Sequence, residues 1–205
     1  MIESMIPNFE AEAAFLDHLA PSGYTLAFNV GFQGAELFRS SFPQKWQERY
    51  ESRAYYFTDP VLIWSITKVG RKRWSELKLP DVRGIFAEAK EFGLSYGVVI
   101  STNIGGSKSV LTAARDDREF SDEELDLLQA KLEYMAGCAS PKGGLSDGEL
   151  AVFRELANGA SIQETAETLG ISKAAVNKRI DKAKQKLHAK STMQAVSIAA
   201  SKNYI

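Results

Sequence analysis

At 205 residues and a formal net charge of −1, the chain is long enough for one large domain or two small ones, each able to bury a core. Hydrophobic residues make up 44% and charged residues 25%, the balance of a globular protein rather than a disordered one. A single cysteine, Cys138, excludes an internal disulfide, the first residues lack a basic leader, and no apolar run approaches the ~20 residues of a membrane span, so the expectation is a cytoplasmic protein.

The predicted elements begin with a helix over "NFEAEAAFLDHL" (8–19) and a strand-like run at "YTLAFNV" (24–30). "PQKWQERYESRAY" (43–55) reads as a helix with Pro43 at its first position, and "DPVLIWSI" (59–66) as another with Pro60 in that place. "DVRGIFAEAKEFG" (81–93) is helical and closes on Gly93. Two further strands, "SYGVVIST" (95–102) and "SVLTAA" (109–114), are joined through "NIGGSK", whose glycines predict a hairpin. In "SDEELDLLQAKLEYMAG" (121–137), Ser121 and Glu124 have the spacing of a capping box. Helices before, between and after a small antiparallel sheet predict an α/β/α sandwich.

Aromatic residues gather in "FPQKWQERYESRAYYFTDP" (42–60). Trp46 and Tyr50 are four apart and share a helical face; Tyr56 and Asp59 follow, then Trp64 and Trp74. That spacing suits a packed core as well as a ligand box. Asp59 before Pro60 suits an ordinary helix N-cap as well as a binding carboxylate. The residues alone leave both open.

"GCASPKGGLS" (137–146) is the weakest point of the chain, and the expected domains are 1–139 and 140–205. The second reads almost entirely as short helices. Ser146 with Glu149 and Ser161 with Glu164 repeat the capping-box spacing, Gly159 and Gly170 stand where left-handed caps fall, and Ser172 caps the next helix. The turn "LGIS" is short and contains glycine, as a helix-turn-helix requires. On the following helix Val176, Ile180, Ala183 and Leu187 share one face, while Ala174, Asn177, Lys178, Asp181, Lys182 and Gln185 share the other. Between Ser172 and Lys190 seven cations face one acid, a net +6, which leaves −7 for the remainder. Charge alone suits a solvated lysine-rich face equally well; with the preceding turn, the preferred reading is a recognition helix that holds phosphates through lysines and reads base edges through central polar side chains.

From Leu145 to Ile205 the chain resembles the DNA-binding domain of LuxR-type bacterial regulators, through "LSDGELAVFRELANGAS", "IQETAETLGIS", "AAVNKRIDKAKQKL" and "STMQAVSIAASKNYI". The resemblance implies four helices, the third in the major groove and the fourth pairing with a second copy. Ser172, Lys173, Asn177, Lys178, Asp181 and Lys182 are the expected DNA-contacting residues. Asp181 departs from the family pattern: an acid there repels phosphate and can accept from cytosine N4. The resemblance extends to the autoinducer-binding domain of the same family, because Trp46, Tyr50, Asp59 and Pro60 match its spacing, and Trp74 and "EFGLSYGVVI" follow in order. It implies an N-acyl homoserine lactone or a similar amphiphilic signal. By that resemblance, the Trp46 N–H is expected to donate to the lactone carbonyl, Asp59 to accept from the amide N–H, Tyr50 and Trp74 to pack on the ligand, and Thr112 to bond the acyl segment. Phe42 stands where the family has a donating Tyr, and "RKRW" (71–74) is basic where it has Pro-Phe-x-Trp.

An enzyme needs a nucleophile with its base, a metal cluster or a phosphate loop. His18 and His188 lie in different domains, and no G-x-S-x-G, P-loop or Cys/His metal spacing is present. No enzyme, metal or cofactor is expected. The expected fold class is α+β: an N-terminal α/β/α sandwich around a small antiparallel sheet, then an all-α four-helix helix-turn-helix domain. The expected function is a ligand-responsive regulator that binds double-stranded DNA as a homodimer, with helix 121–137 and Ala195, Val196, Ala199 and Ala200 of the last helix as dimer surfaces. The alternatives are a ligand-independent or antagonist version, or a signal-binding protein that acts through a protein partner.

Overall fold

The computed structural model describes residues 2–31, 34–140, 142–202 and 204–205; Pro141, inside the expected linker, and Asn203, inside the last matching stretch, lie outside the described residues. The chain divides into two compact units, Met1–Asn103 with Ser107–Ala139 and Ile104–Gly106 with Ser140–Ile205. No helix among the described residues is long and apolar enough to cross a membrane.

The first unit is a five-stranded sheet in the order β2-β1-β5-β4-β3, formed by β1 (Gly23–Gly31), β2 (Gly34–Ser40), β3 (Gly70–Arg73), β4 (Tyr96–Ile104) and β5 (Ser107–Arg115). Gly105 and Gly106 link β4 to β5 with φ of 60° and 83°. Two consecutive positive φ values are what a two-residue hairpin turn demands, and glycine adopts them without steric cost. Antiparallel registers Leu26↔Leu111 and Tyr24↔Ala113 put those side chains on one face, and Ala27↔Val110 with Thr25↔Thr112 put theirs on the other. Helices α1 (Ile2–Met5), α2 (Phe9–Leu19) and α6 (Asp122–Ala139) belong to the first face; α3 (Gln44–Ser52), α4 (Pro60–Thr67) and α5 (Ile85–Lys90) pack on the second. The α/β/α sandwich expected from the sequence is therefore present. Leu16, Leu26, Phe28, Leu111, Leu128 and Leu132 are fully buried within it.

Several boundaries differ from expectation for local reasons. Pro43 is the N-cap of α3 rather than its first helical residue, with an extended ψ of 131°. The segment expected to be helical from Asp81 enters α5 only at Ile85, because Asp81 stands outside and accepts from the backbone N–H of Ile85 at 2.8 Å and of Phe86 at 2.9 Å. The short edge strands β2 and β3 escape the sequence reading. β3 is only four residues long, and β2 alternates without a strongly apolar face.

The second unit holds α7 (Asp147–Ala157), α8 (Ile162–Leu169), α9 (Lys173–Lys186) and α10 (Thr192–Ser201). Capping boxes at Ser146–Glu149 and Ser161–Glu164 start the first two, and the Ser172 hydroxyl accepts from Ala175 N at 3.1 Å to start α9. Gly170 ends α8 with φ 63°. Leu150, Phe153, Ala166, Val176, Ile180, Ala183, Ala195 and Ala199 form the core.

Candidate functional sites

The aromatic cluster of the first unit is assembled from α3, α5 and the loop segments around them. Trp46 packs with Tyr50, Tyr55 and Phe92 at ring-centroid distances of 5.9, 6.2 and 5.5 Å. Phe42, Tyr50 and Trp74 border the same group. So the expected ligand residues Phe42, Trp46, Tyr50 and Trp74 come together, and they do so as part of the core. Asp59 caps α4 by accepting from Val61 N at 2.8 Å, and its other oxygen accepts from the Tyr50 hydroxyl at 2.7 Å. The two readings of Asp59 are thus compatible: one oxygen serves the helix, the other faces the aromatic cluster.

Burial pushes the Asp59 carboxyl above the ordinary carboxylate range, and the hydrogen bonds from Tyr50 and from the Val61 and Leu62 amides oppose that rise. The Tyr50 hydroxyl is pushed upward too, first by burial and then by the negative charge of Asp59. In this pair the phenol of Tyr50 donates to a carboxyl oxygen of Asp59.

Trp74 lies flat against β4. A Cβ at position 97 would sit 2.2 Å from two ring carbons of its indole, so only glycine leaves room. Trp74 also packs with Phe86 at 5.7 Å between centroids. Its Nε1 is buried without a hydrogen-bond partner among the described residues, and so are the hydroxyls of Thr112 and Thr58. Thr112 shares the sheet face of Val110 and Ala114, residues of the two clusters that Trp74 bridges. Trp74 and Thr112 thus share one face of the sheet, and each carries a buried polar atom without a partner among the described residues.

The sequence reading missed Thr58, although it directly precedes Asp59. It also missed Tyr55, whose hydroxyl donates to Glu88 and whose ring meets Tyr50 at 5.9 Å. A lysine distant in sequence holds the far end of α4: Lys108 Nζ donates to the carbonyls of Ser65, Ile66 and Lys68 at 3.0, 2.8 and 2.9 Å. Of the basic run before Trp74, expected beside the ligand, Lys72 is opposite Val99 on the face of the aromatic cluster, and the two arginines are not. Arg71↔Ile100 and Arg73↔Val98 place both arginines on the α6 face, where Arg71 pairs with Asp126 and Arg73 with Asp122 at 2.6 Å. The two-residue period of β3 turns its guanidiniums away from the face that carries Thr112.

In the second unit, Ser172, Lys173, Ala174, Asn177, Lys178, Asp181, Lys182 and Gln185 are exposed, and Val176, Ile180 and Ala183 are buried. Two of the clustered cations are engaged elsewhere. Lys186 bonds the buried carboxylate of Glu149 at 2.7 Å, and the Arg179 guanidinium lies over Gly148, 3.1 Å from where a Cβ would stand. The expected pairing face of α10 also needs correcting. Ala195 and Ala199 are buried in this unit's own core, because so small a domain uses every apolar stripe it has. Met193, Gln194, Ser197 and Ala200 form the exposed side. On α6, Leu127 is exposed while Leu128, Leu132 and Met135 are buried. Among the described residues no group of three or more His, Cys, Asp or Glu could hold a metal.

Comparison with known proteins assigns both units. Residues 14–141 match the autoinducer binding domain, and residues 144–199 match the bacterial regulatory proteins of the luxR family. The quorum-sensing regulator RhlR of Pseudomonas aeruginosa is 26% identical over 174 residues, covering 78% of this chain and 72% of its own. The transcriptional activator VanR of Vibrio anguillarum is 26% identical over 199 residues, covering 89% and 83%. Escherichia coli SdiA has a similar fold, with a TM-score of 0.52 at 23% identity, covering 100% of this chain and 92% of that one. SdiA solved with octanoyl-rac-glycerol gives a TM-score of 0.50 at 24% identity, covering 98% and 88%. Matched along both units, this chain belongs to the LuxR family: it is a quorum-sensing transcriptional regulator, not an enzyme, in which an autoinducer-binding domain precedes a helix-turn-helix domain.

Proposed function

We propose that residues 1–139 sense an N-acyl homoserine lactone and that residues 140–205 bind a near-palindromic operator, the chain acting as a homodimer in the bacterial cytoplasm. The observation that carries the sensing half is the Tyr50–Asp59 pair in the same aromatic region as the orphaned polar atoms of Trp74 and Thr112. Asp59 accepts the ligand amide N–H beside its existing bonds, since a carboxylate oxygen offers two lone pairs. Trp46 donates to the lactone carbonyl, Tyr50 and Trp74 cover the ring and chain, and Thr112 bonds the acyl segment. Phe42 supplies contact area but no donor. On α9, Lys173, Lys178 and Lys182 hold phosphates with the Ser172 end, while Asn177 and Asp181 address base edges. The exposed sides of α10 around Met193 and of α6 around Leu127 are the surfaces left for pairing.

A second reading, a regulator that folds and binds DNA without a lactone, has one observation in its favour: both Asp59 oxygens already have partners within the chain. Mass spectrometry of small molecules released from protein expressed with candidate lactones and with acyl glycerols separates the readings. Stoichiometric retention of a lactone supports the first. Retention of an acyl glycerol replaces the lactone by another amphiphile, and a folded, DNA-binding protein that retains neither establishes the second.

A further inference from the structure

Asp181 is the single acid among the cations between Ser172 and Lys190. Its side chain is 69% exposed, on the same face of α9 as Asn177, Lys178 and Lys182. Its contact is with Lys184, three residues on, at 3.5 Å. A pair so long and so exposed contributes little to the fold. Nor does Asp181 cap α9, which starts on Ser172 and ends with Lys184 and Lys186 in its last turn. The carboxylate therefore has almost no structural task, yet it stands where negative charge opposes every phosphate nearby. That cost to DNA affinity is offset only by a donor.

In the major groove the base-edge donors are the amines of cytosine and adenine. Adenine N6 lies beside the N7 acceptor, which repels a carboxylate and suits an amide, whereas cytosine N4 has no acceptor of its own beside it. Asn177 stands one turn before Asp181, about 6 Å along the helix axis. Its amide matches the adenine N6/N7 pair. At 3.4 Å per base pair the two side chains address positions about two steps apart.

Resting on the reading that α9 enters the major groove, we infer that Asp181 is a specificity-determining residue that selects a C·G pair close to the pair read by Asn177 and weakens binding to every duplex lacking it. The acid thus widens the gap between cognate and random DNA from both sides.

The test is selection of the full chain on a randomised duplex library, followed by anisotropy titration of the selected duplex, its single-pair variants and a random-sequence duplex in about 50 mM salt. Wild type selects one position as C·G and prefers it over the other pairs by about tenfold or more. Asp181→Ala narrows that preference to within about twofold and tightens the random duplex severalfold, since a repulsion is removed. Asp181→Asn moves the preference at that position from C·G toward A·T. The exposure of the side chain leaves both variants folded, which circular dichroism melting verifies. Identical selected sequences for wild type and Asp181→Ala overturn the inference while leaving DNA binding intact. Failure of wild type to bind any duplex removes the DNA-reading proposal itself, and this inference with it.

Discussion

Asp59 caps α4 and, in the proposed function, also receives the ligand amide; its pH behaviour separates the two roles. Because burial raises its pKa in the folded state, folding binds a proton there more readily than the unfolded chain does. Stability therefore falls as pH rises from the ordinary value of 3.8 through the raised one, because burial makes ionisation of the group a cost to the fold. Asp59→Asn keeps a competent N-cap and removes that cost, so the ligand-free variant melts at or above wild type at pH 7, and the difference vanishes below about pH 4. The same variant loses ligand stabilisation. One amide oxygen then serves Val61, Tyr50 and the ligand, with an NH2 group opposing the ligand N–H. Trp46→Phe loses it as well, whereas wild type gains about 2.7 kcal/mol at a ligand concentration a hundredfold above Kd. Melting curves with and without lactone read both effects; retained stabilisation in both variants means that the ligand lies elsewhere. Gly97→Ala tests the neighbouring wall. A methyl group there displaces the Trp74 ring, so stability drops by roughly 1–3 kcal/mol and ligand stabilisation goes with it. At this scale the spacing of Trp46, Tyr50 and Asp59 was legible because α3 and the turn after it are local. The Gly97–Trp74 contact was not, since it brings the residue after β3 onto β4 by tertiary approach and no periodicity announces it.

Element by element, the helices were easier to read than the strands. Ser–Glu boxes at positions 121, 146 and 161 all form as expected, because capping is settled by residues three apart. The buried and exposed faces of α9 follow the wheel. For α10 the apolar stripe was recognised but given to a partner instead of its own domain, a choice periodicity cannot make. β3 shows the converse: its charges looked misplaced until the strand period sent Arg71 and Arg73 to the acidic start of α6. There Glu124 accepts from Arg115 at 3.0 Å, Arg118 at 2.8 Å and Ser121 N at 2.8 Å. The Arg118 hydrogen bond lowers the Glu124 pKa to about 2, and the Arg115 hydrogen bond holds Asp117 at about 2. Depressed carboxylates contribute stability that is present above their unfolded values and is lost as pH falls through the folded ones. Glu124→Gln therefore destabilises the sensor domain by roughly 1–2 kcal/mol at pH 7. Its acid limb between about pH 4.5 and 2 also flattens, which denaturant titration at stepped pH measures.

For the molecule as a whole, the charge asymmetry read from the sequence holds, but fewer cations are free than the count suggests. With Lys186 on Glu149 and Arg179 over Gly148, a subunit that engages about four phosphates gives a log–log salt slope near −3.6, and its affinity falls roughly a hundredfold between 50 and 200 mM salt. Lys182→Ala flattens that slope by about one for all sequences, while Asn177→Ala relaxes base preference without changing it. A salt-insensitive complex points to a protein partner in place of DNA. The two-domain plan was legible because a Gly/Ser/Pro cluster separates two different kinds of periodicity. Faces for the proposed pairing with a second copy were not, since pairing surfaces obey no local rule. The indole seated on β4 has an optical consequence as well. Tryptophan emission depends on the polarity around the indole, so on the proposed function a ligand that meets the buried Trp74 N–H shifts the protein's own fluorescence. With Trp64 replaced by Phe, the remaining emission comes from Trp46 and Trp74, both in the aromatic cluster, and its wavelength follows occupancy without a label or a promoter assay.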